Sequence, residues 1–440
     1  MCAKQFDKPA AGANTAEWFN RVPGMFDAEA DALREKILNT VTEPNVAGDH
    51  WYVSESGNDE ADGKTPATAW QTLKGLAAHA ADIKAGDAVL FERGGVYRGT
   101  IRAISGVYYG AYGEGDKPCI YGSHRNLAET PWEKSAIENV WYTTGFHIDV
   151  GHVVFDHGKE VGLKMRYSLR ECCHNGDFFY KDGVLYLYMD KGNPADLYDS
   201  IEAGERDVVI SISENHDVTI DNLCIKYGGG HGIQGGGTKN IAIINCEMGW
   251  IGGSFLSKDV RYGNAIEFWA DCDGVLVDNC WIYQCYDTGF TFQSSCGGPE
   301  RNIKMLNCLL EYNWYSTEMW NGHGTDNTQD NIEFSNNIMR FAGYGWGKQR
   351  PDQVNSSHMF GGRQMTNFVA KNNIFERGVQ SLLCCFQSTF EGNTFVQEKR
   401  SGDTSLGPAL GDVRLAFDDN AAQSIATHLG DTNAKIYYID

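Results

Sequence analysis

Val218-Thr219-Ile220-Asp221-Asn222-Leu223-Cys224-Ile225 is the first copy of a pattern whose reading decides the fold. Two apolar residues alternate with their neighbours, an asparagine continues the alternation, and another apolar residue stands three places further on. The pattern recurs as Ile241, Ile243, Asn245, Met248; as Val275, Val277, Asn279, Ile282; and as Ile303, Met305, Asn307, Leu310. Two more copies are Ile332, Phe334, Asn336, Met339 and Phe368, Ala370, Asn372, Phe375, and Asn393 with Val396 reads as a degraded seventh. Successive asparagines stand 23, 34, 28, 29, 36 and 21 residues apart. A fixed core with turns of variable length excludes helical repeats of strict period and fits stacked coils.

Period-two apolar residues make a strand with one face inward. Asparagine then turns the corner, because it tolerates unusual backbone angles. Stacked copies would let its amide bond to the asparagines above and below, as in cross-β ladders. Cys246, Cys280 and Cys308 each follow a ladder asparagine directly, with Cys224 one place later, and they read as small thiols stacked in the core. The 13 cysteines are odd in number and contain no C-x-x-C pair, which argues against a zinc site or a full disulfide framework.

The sequence on either side divides the chain further. Residues 1–45 hold a helical extension, with Phe26, Leu33, Ile37 and Val41 on one face of Asp27 to Thr40. Residues 46–124 give a cap and first coils: a strand at Trp51 and Val53, a capping box from Thr68 and Gln71, a short helix, and a strand from Ala88 to Phe91. Asn58, Glu60, Asp62 and Gly63 imitate the start of a calcium loop, but position twelve is Ala69, so a plain turn is expected and calcium is not predicted. Residues 125–205 alternate in short segments and read as an inserted antiparallel β subdomain. Residues 206–400 carry the coils, and 401–440 form a tail.

Among 440 residues, 51 are glycine and only 10 proline, which suits tight turns between short strands. A net charge of −21 argues against nucleic acid or an anionic membrane as partner. No apolar run reaches the 18 or so residues of a spanning helix. Met1 to Glu17 lacks the basic start and apolar stretch of a signal peptide, so the chain as written is expected in the cytoplasm, or outside it if a leader has been removed. Oligomeric state is not legible.

The segment from Trp51 to Tyr97, with its Gly57-Asn58-Asp59 turn, capping helix and Gly86-Asp87-Ala88-Val89-Leu90-Phe91 strand, resembles the N-terminal cap of bacterial pectin-lyase-like proteins. The asparagine-marked coils extend the likeness to about residue 400. The resemblance implies an all-β, right-handed parallel β-helix and a carbohydrate substrate, since the family is mainly polysaccharide lyases, glycoside hydrolases and some epimerases. It does not fix the reaction. Gly322-His323-Gly324 matches one polygalacturonase motif, but the partner motifs are missing.

The same resemblance implies a substrate groove across one parallel sheet. Each coil has a second strand after its asparagine turn, at His231–Gly235, Asn264–Ala270, Thr288–Ser294, Ser316–Trp320, Ser356–Phe360 and Ser381–Gln387. With Ile266 and Phe268 inward, Glu267 and Trp269 face out, as do Thr291 and Gln293 on the next coil. Met319 inward turns Glu318 and Trp320 outward. The outward column is then Gln234, Glu267, Thr291, Glu318 and His358. Six of the 11 tryptophans lie between Trp250 and Trp346, and aromatic faces stack on sugars.

Glycoside hydrolysis needs two carboxyl groups, one protonated and one ionised. Glu267 and Glu318 are two rungs apart, about 10 Å along the sheet, which suits an inverting separation of roughly 6.5–9.5 Å. Asp287, entering the middle strand, lies one rung from either and would suit the retaining separation of about 5–5.5 Å. Catalytic candidates are therefore Glu267, Glu318, Asp287 and His358. Substrate-binding candidates are Trp269, Trp320, Gln293, Gln234, Arg261, Tyr262, His323, Asp326 and Arg363. His231 and His323 read as turn residues. A polysaccharide lyase is the alternative, with Arg261, Tyr262, His358 and Arg363 as base and uronate clamp. A non-catalytic carbohydrate-binding β-helix is the third reading. No organic cofactor or metal is expected.

Overall fold

In the computed structural model, Val218 and Ile220 lie opposite Ile241 and Ile243 in a parallel ladder. The register carries on through Val275 and Val277, Ile303 and Met305, Ile332 and Phe334, and Phe368 and Ala370. The structure describes residues 23–257, 260–294, 298–321, 329–350, 356–361, 365–378, 380–383, 388–398 and 430–439. Each coil contributes one strand to each of three parallel sheets, two of ten strands and one of eight among the described residues. Parallel crossovers of this kind are right-handed, and the architecture is the right-handed parallel β-helix. Its interior is a single continuous cluster, with Phe290, Phe334, Phe368 and Phe390 in ring contact along the axis.

Asparagine turns the corner as expected. Asn222, Asn245, Asn279, Asn307, Asn336 and Asn372 all sit at φ between 52° and 60°. Their amides do not form one uniform ladder, however. Asn279 donates to Asn245 at 2.7 Å, whereas Asn245 and Asn307 donate to the aspartates Asp221 and Asp278 of the preceding coil, each at 2.8 Å. Asn393 is not a corner residue, because Gly392, at φ 68°, takes that place. Asn393 instead continues the line of buried cysteines. Cys246, Cys280 and Cys308 are fully buried, and Asn337, Asn373 and Asn393 follow them at the same position on later coils. Asn337 donates to Asn373 at 2.9 Å, Asn373 to Asn393 at 3.0 Å, and Asn393 to Asp431 at 2.9 Å.

Thiols can be buried without partners, but amides cannot. Asn373→Ala should therefore cost about 2–4 kcal/mol by orphaning groups on both neighbouring coils, and Cys280→Ala should cost less. Urea unfolding of the two variants checks the order.

Two further left-handed corners went unread. Asp217, Asn240, Asn302, Asn331 and Asn367 lie five residues before a ladder asparagine, all at positive φ, with Gly274 in the remaining copy. Tyr227, Trp250, Gln284, Tyr312, Phe341 and Arg377 lie five residues after one, again at positive φ. Such angles are costly for bulky residues, and the flanking ladders fix them.

Between Tyr121 and Ile210 the chain leaves the coils. Val150–Phe155 pairs antiparallel with Ile201–Glu205 and Glu160–Val161. A five-stranded sheet beside it is antiparallel except where Leu163–Lys164 meets Asp177–Lys181. Trp132, Phe146, Phe155, Phe178, Leu185 and Leu187 give this insertion its own core. It is stitched to the coils at Gly229, where an added Cβ would stand 2.2 Å from the Gly204 carbonyl oxygen. Only glycine allows that approach.

The N-terminal helix α1, Asp27–Asn39, buries Ala30 and Ile37 against Leu309 and Ile338 on the outside of one ten-stranded sheet. Val41 lies beyond its end and is exposed. The capping helix α2 is short, Leu73–Ala78, with Thr72 as its N-cap. The capping box expected from Thr68 and Gln71 is formed instead by Thr65 and Thr68, on a 3-10 turn at Pro66–Thr68. Cys173, to which the sequence assigned no role, is disulfide-bonded.

Candidate functional site

The eight-stranded sheet sets the candidate residues in line. Ile266, Phe268, Phe290, Phe292 and Met319 are buried in the core, so the alternating residues face out. The register aligns Gln234 with Glu267, Glu267 with Thr291, and Thr291 with Glu318. Trp269, Gln293 and Trp320 form a parallel line one step away. The expected strand phase is therefore the one observed. The column is less open than expected: Glu267 and Gln293 are 5% and 8% exposed and Thr291 is wholly buried, while Gln234, Trp269 and Glu318 are partly exposed.

Glu318 accepts a hydrogen bond from the Thr288 hydroxyl at 3.1 Å. Burial pushes its carboxyl up to about 8, and the charges of Asp287 and, more weakly, Glu267 add to the shift. The Thr288 bond and the Arg350 guanidinium oppose it. Asp287, one residue before Thr288, is held by Arg350 at 2.5 Å. Arg350 follows the Trp346–Gln349 turn, and its guanidinium lies within 6.0 Å of the Tyr286 and Trp314 rings. Tyr315 completes the wall, its hydroxyl pushed well up by burial and by Asp287 and Glu318. Glu318 is thus held toward its protonated form beside an aspartate that is paired with a cation.

Glu267 has a different neighbourhood. Its Oε2 meets His231 Nε2 at 2.5 Å, and its Oε1 faces Gln293 Nε2 at 3.4 Å. Tyr262 packs edge-on to the His231 ring, with centroids 5.0 Å apart.

His358 does not belong to the column. Met359 pairs with Thr317, so Phe360, not His358, stands level with Glu318. His358 is wholly buried, 3.3 Å from the Ser316 hydroxyl and in ring contact with Phe375, and burial pushes its imidazole down to about 3. It is packed away from substrate. Arg261 is likewise buried, its guanidinium over the Phe255 and Tyr286 rings. For Trp320 only the strand position is described. His323, Asp326 and Arg363 lie outside the described residues.

Sequence reasoning missed His231, Thr288 and Arg350. Thr288 sits on a strand already singled out, next to Asp287, and was the one within reach. His231 and Arg350 stand in turns, where no periodicity marks a side chain's direction.

Among the described residues the one close group of His, Cys, Asp or Glu is Cys173, His174 and Asp177, in the insertion, and the Cys173 sulfur is committed to its disulfide.

No family model matches the chain, and no curated protein does. Solved structures share the coil at low identity. A glycoside hydrolase is 8% identical over 81% of this chain and 94% of that one, with a TM-score of 0.46. XylC in complex with xylose is 12% identical over 81% and 69%, with a TM-score of 0.45. Pectate lyase Pel9A is 11% identical over 82% and 78%, with a TM-score of 0.35. At these values the likenesses carry no argument about reaction or substrate, which rests on the geometry of the site.

Proposed function

We propose that this protein is a carbohydrate-active enzyme, a glycoside hydrolase working by paired carboxylates on the outer face of the eight-stranded sheet. The observation that carries the reading is the convergence of Glu318 and Asp287 in opposed environments. Glu318 is partly exposed, yet desolvation pushes its carboxyl up to about 8, so at neutral pH it holds the proton a leaving glycosidic oxygen needs. Asp287 is paired with Arg350 and serves as the second carboxyl group of the pair. Thr288 bonds Glu318 from the residue next to Asp287, which keeps the two carboxyl groups on one side of the site. Trp269 and Tyr315, both partly exposed, give aromatic surface on which sugar rings stack.

Elimination is the weaker reading. It needs a base at the sugar and a cation on the uronate. Of the residues named for those tasks, His358 and Arg261 are packed into other contacts, Tyr262 packs edge-on to His231, and Arg363 lies outside the described residues.

The test is release of reducing ends from a panel of neutral and acidic oligosaccharides. Asp287→Asn should lower kcat by about 10²–10⁴-fold, with melting temperature held. Full activity in that variant would remove Asp287 from the reaction.

A further inference from the structure

We propose that His231 is the positioning residue of the site and fixes Glu267 through a locked tautomer. This inference rests on the hydrolase reading for its kinetic consequence, and on geometry for the rest.

His231 is 4% exposed and follows three glycines, Gly228, Gly229 and Gly230, that bring the coil against the insertion. The backbone N–H of Asn264, on the next coil, donates to His231 Nδ1 at 3.3 Å. An imidazole nitrogen that accepts cannot carry the proton, so in the neutral ring Nε2 carries it. Nε2 lies 2.5 Å from Glu267 Oε2, an ion-pair contact. The side-chain oxygen of the same Asn264 accepts from the Thr288 backbone N–H at 3.2 Å, and the Thr288 hydroxyl donates to Glu318. Four successive coils are thus joined by one run of contacts, an ion pair from Glu267 to His231 and then hydrogen bonds through Asn264 and Thr288 to Glu318, with an acidic side chain at each end.

Tyr262 packs on the ring edge and would pack on any ring of that size. A buried carboxylate would be cheaper to omit than to pair. A glutamate that meets Gln293 at one oxygen and His231 at the other is instead oriented, which is what a carboxylate facing a reacting sugar requires. His231 touches Glu267 and not the sugar, so it acts through Glu267.

The test compares His231→Gln, which keeps an N–H donor near the Nε2 position, with His231→Leu, which removes it. With melting temperatures matched, His231→Leu should lower kcat about 10–100-fold, the effect of a lost hydrogen bond to a charged group, with KM unchanged. His231→Gln should recover most of that loss. Equal kcat in both variants and the parent overturns the proposal.

A second arm needs no substrate. In 15N-histidine-labelled protein, His231 should show a protonated Nε2 and an accepting Nδ1, and Glu267→Gln should shift Nε2 while leaving the tautomer in place. A proton on Nδ1, or an Nε2 signal indifferent to Glu267→Gln, overturns it. If the parent protein cleaves no glycan, the hydrolase reading fails, and this second arm alone decides the positioning role.

Discussion

Glu318→Gln is expected to lower kcat by about 10²–10⁴-fold and, at alkaline pH, to make the protein more stable. The activity loss follows from the proton: a glutamine cannot give one to the leaving oxygen. The stability gain follows from the shift. Glu318 is pushed up to about 8 in the folded chain by burial first and by Asp287 next, against about 4.3 in an unfolded one. Between those values the folded state binds a proton that the unfolded state does not, so stability falls as pH rises through the window. Below about pH 4.3 the shift costs nothing; above about pH 8 its full cost is present. Glutamine has no such dependence. Melting curves of the two proteins should lie close at pH 5 and diverge by roughly 2–5 °C at pH 9, with the variant higher. In the parent, kcat/KM should fall on the alkaline side with a midpoint near 8. Parallel melting curves at all pH values would show that Glu318 is an ordinary solvated glutamate.

Arg340→Ala is expected to cost about 3–5 kcal/mol, the effect of leaving buried charge uncompensated. Arg340 lies between Glu311 and Glu376, its Nε 3.6 Å and 3.5 Å from them, and all three are nearly inaccessible. It also bonds Asp27 and the Phe26 carbonyl, at the start of α1. Glu376 accepts from the backbone N–H groups of Met25 and Phe26, and Glu311 takes both oxygens' bonds from Arg34. One guanidinium therefore holds two acids that in turn hold the helix. Burial already pushes Glu376 up and Arg340 pulls it back, so without the arginine Glu376 would favour protonation. The penalty should shrink as pH falls toward 5, and urea unfolding at pH 8 and pH 5 reads it. Limited proteolysis should cut α1 in the variant before the coils. A loss of less than 1 kcal/mol at pH 8 would mean that water reaches these carboxylates.

The coils were legible because a solenoid core leaves little choice. Phe268 and Met319 must be inside, and a strand alternates, so Glu267 and Glu318 must be outside; a one-residue slip would bury a glutamate. His358 was misplaced for the same reason in reverse. Alternation gives the face of a strand but not its offset along the sheet, and Met359 pairs with Thr317, two residues from where the column needed it. The corner asparagines were read, but their partners were not. Spacing shows that Asn245 and Asn279 recur, not that one bonds an aspartate and the other an asparagine. The doubled spacing of Asn302 with Asn307, and of Asn331 with Asn336, was a visible sign of the second corner. Arg350 had no sign at all, and His231 was read only as a turn residue. Each reaches the site from a turn, and turn lengths here vary too much for sequence distance to imply proximity.

The most direct measurement is the product formed by the native chain from a panel of neutral and uronate-containing oligosaccharides, followed at once by reducing ends and by absorbance at about 235 nm. Paired carboxylates with a protonated Glu318 predict new reducing ends, no new absorbance, and loss of both activity and its alkaline limb in Glu318→Gln. New absorbance, marking an unsaturated uronate and a β-elimination, would contradict the account.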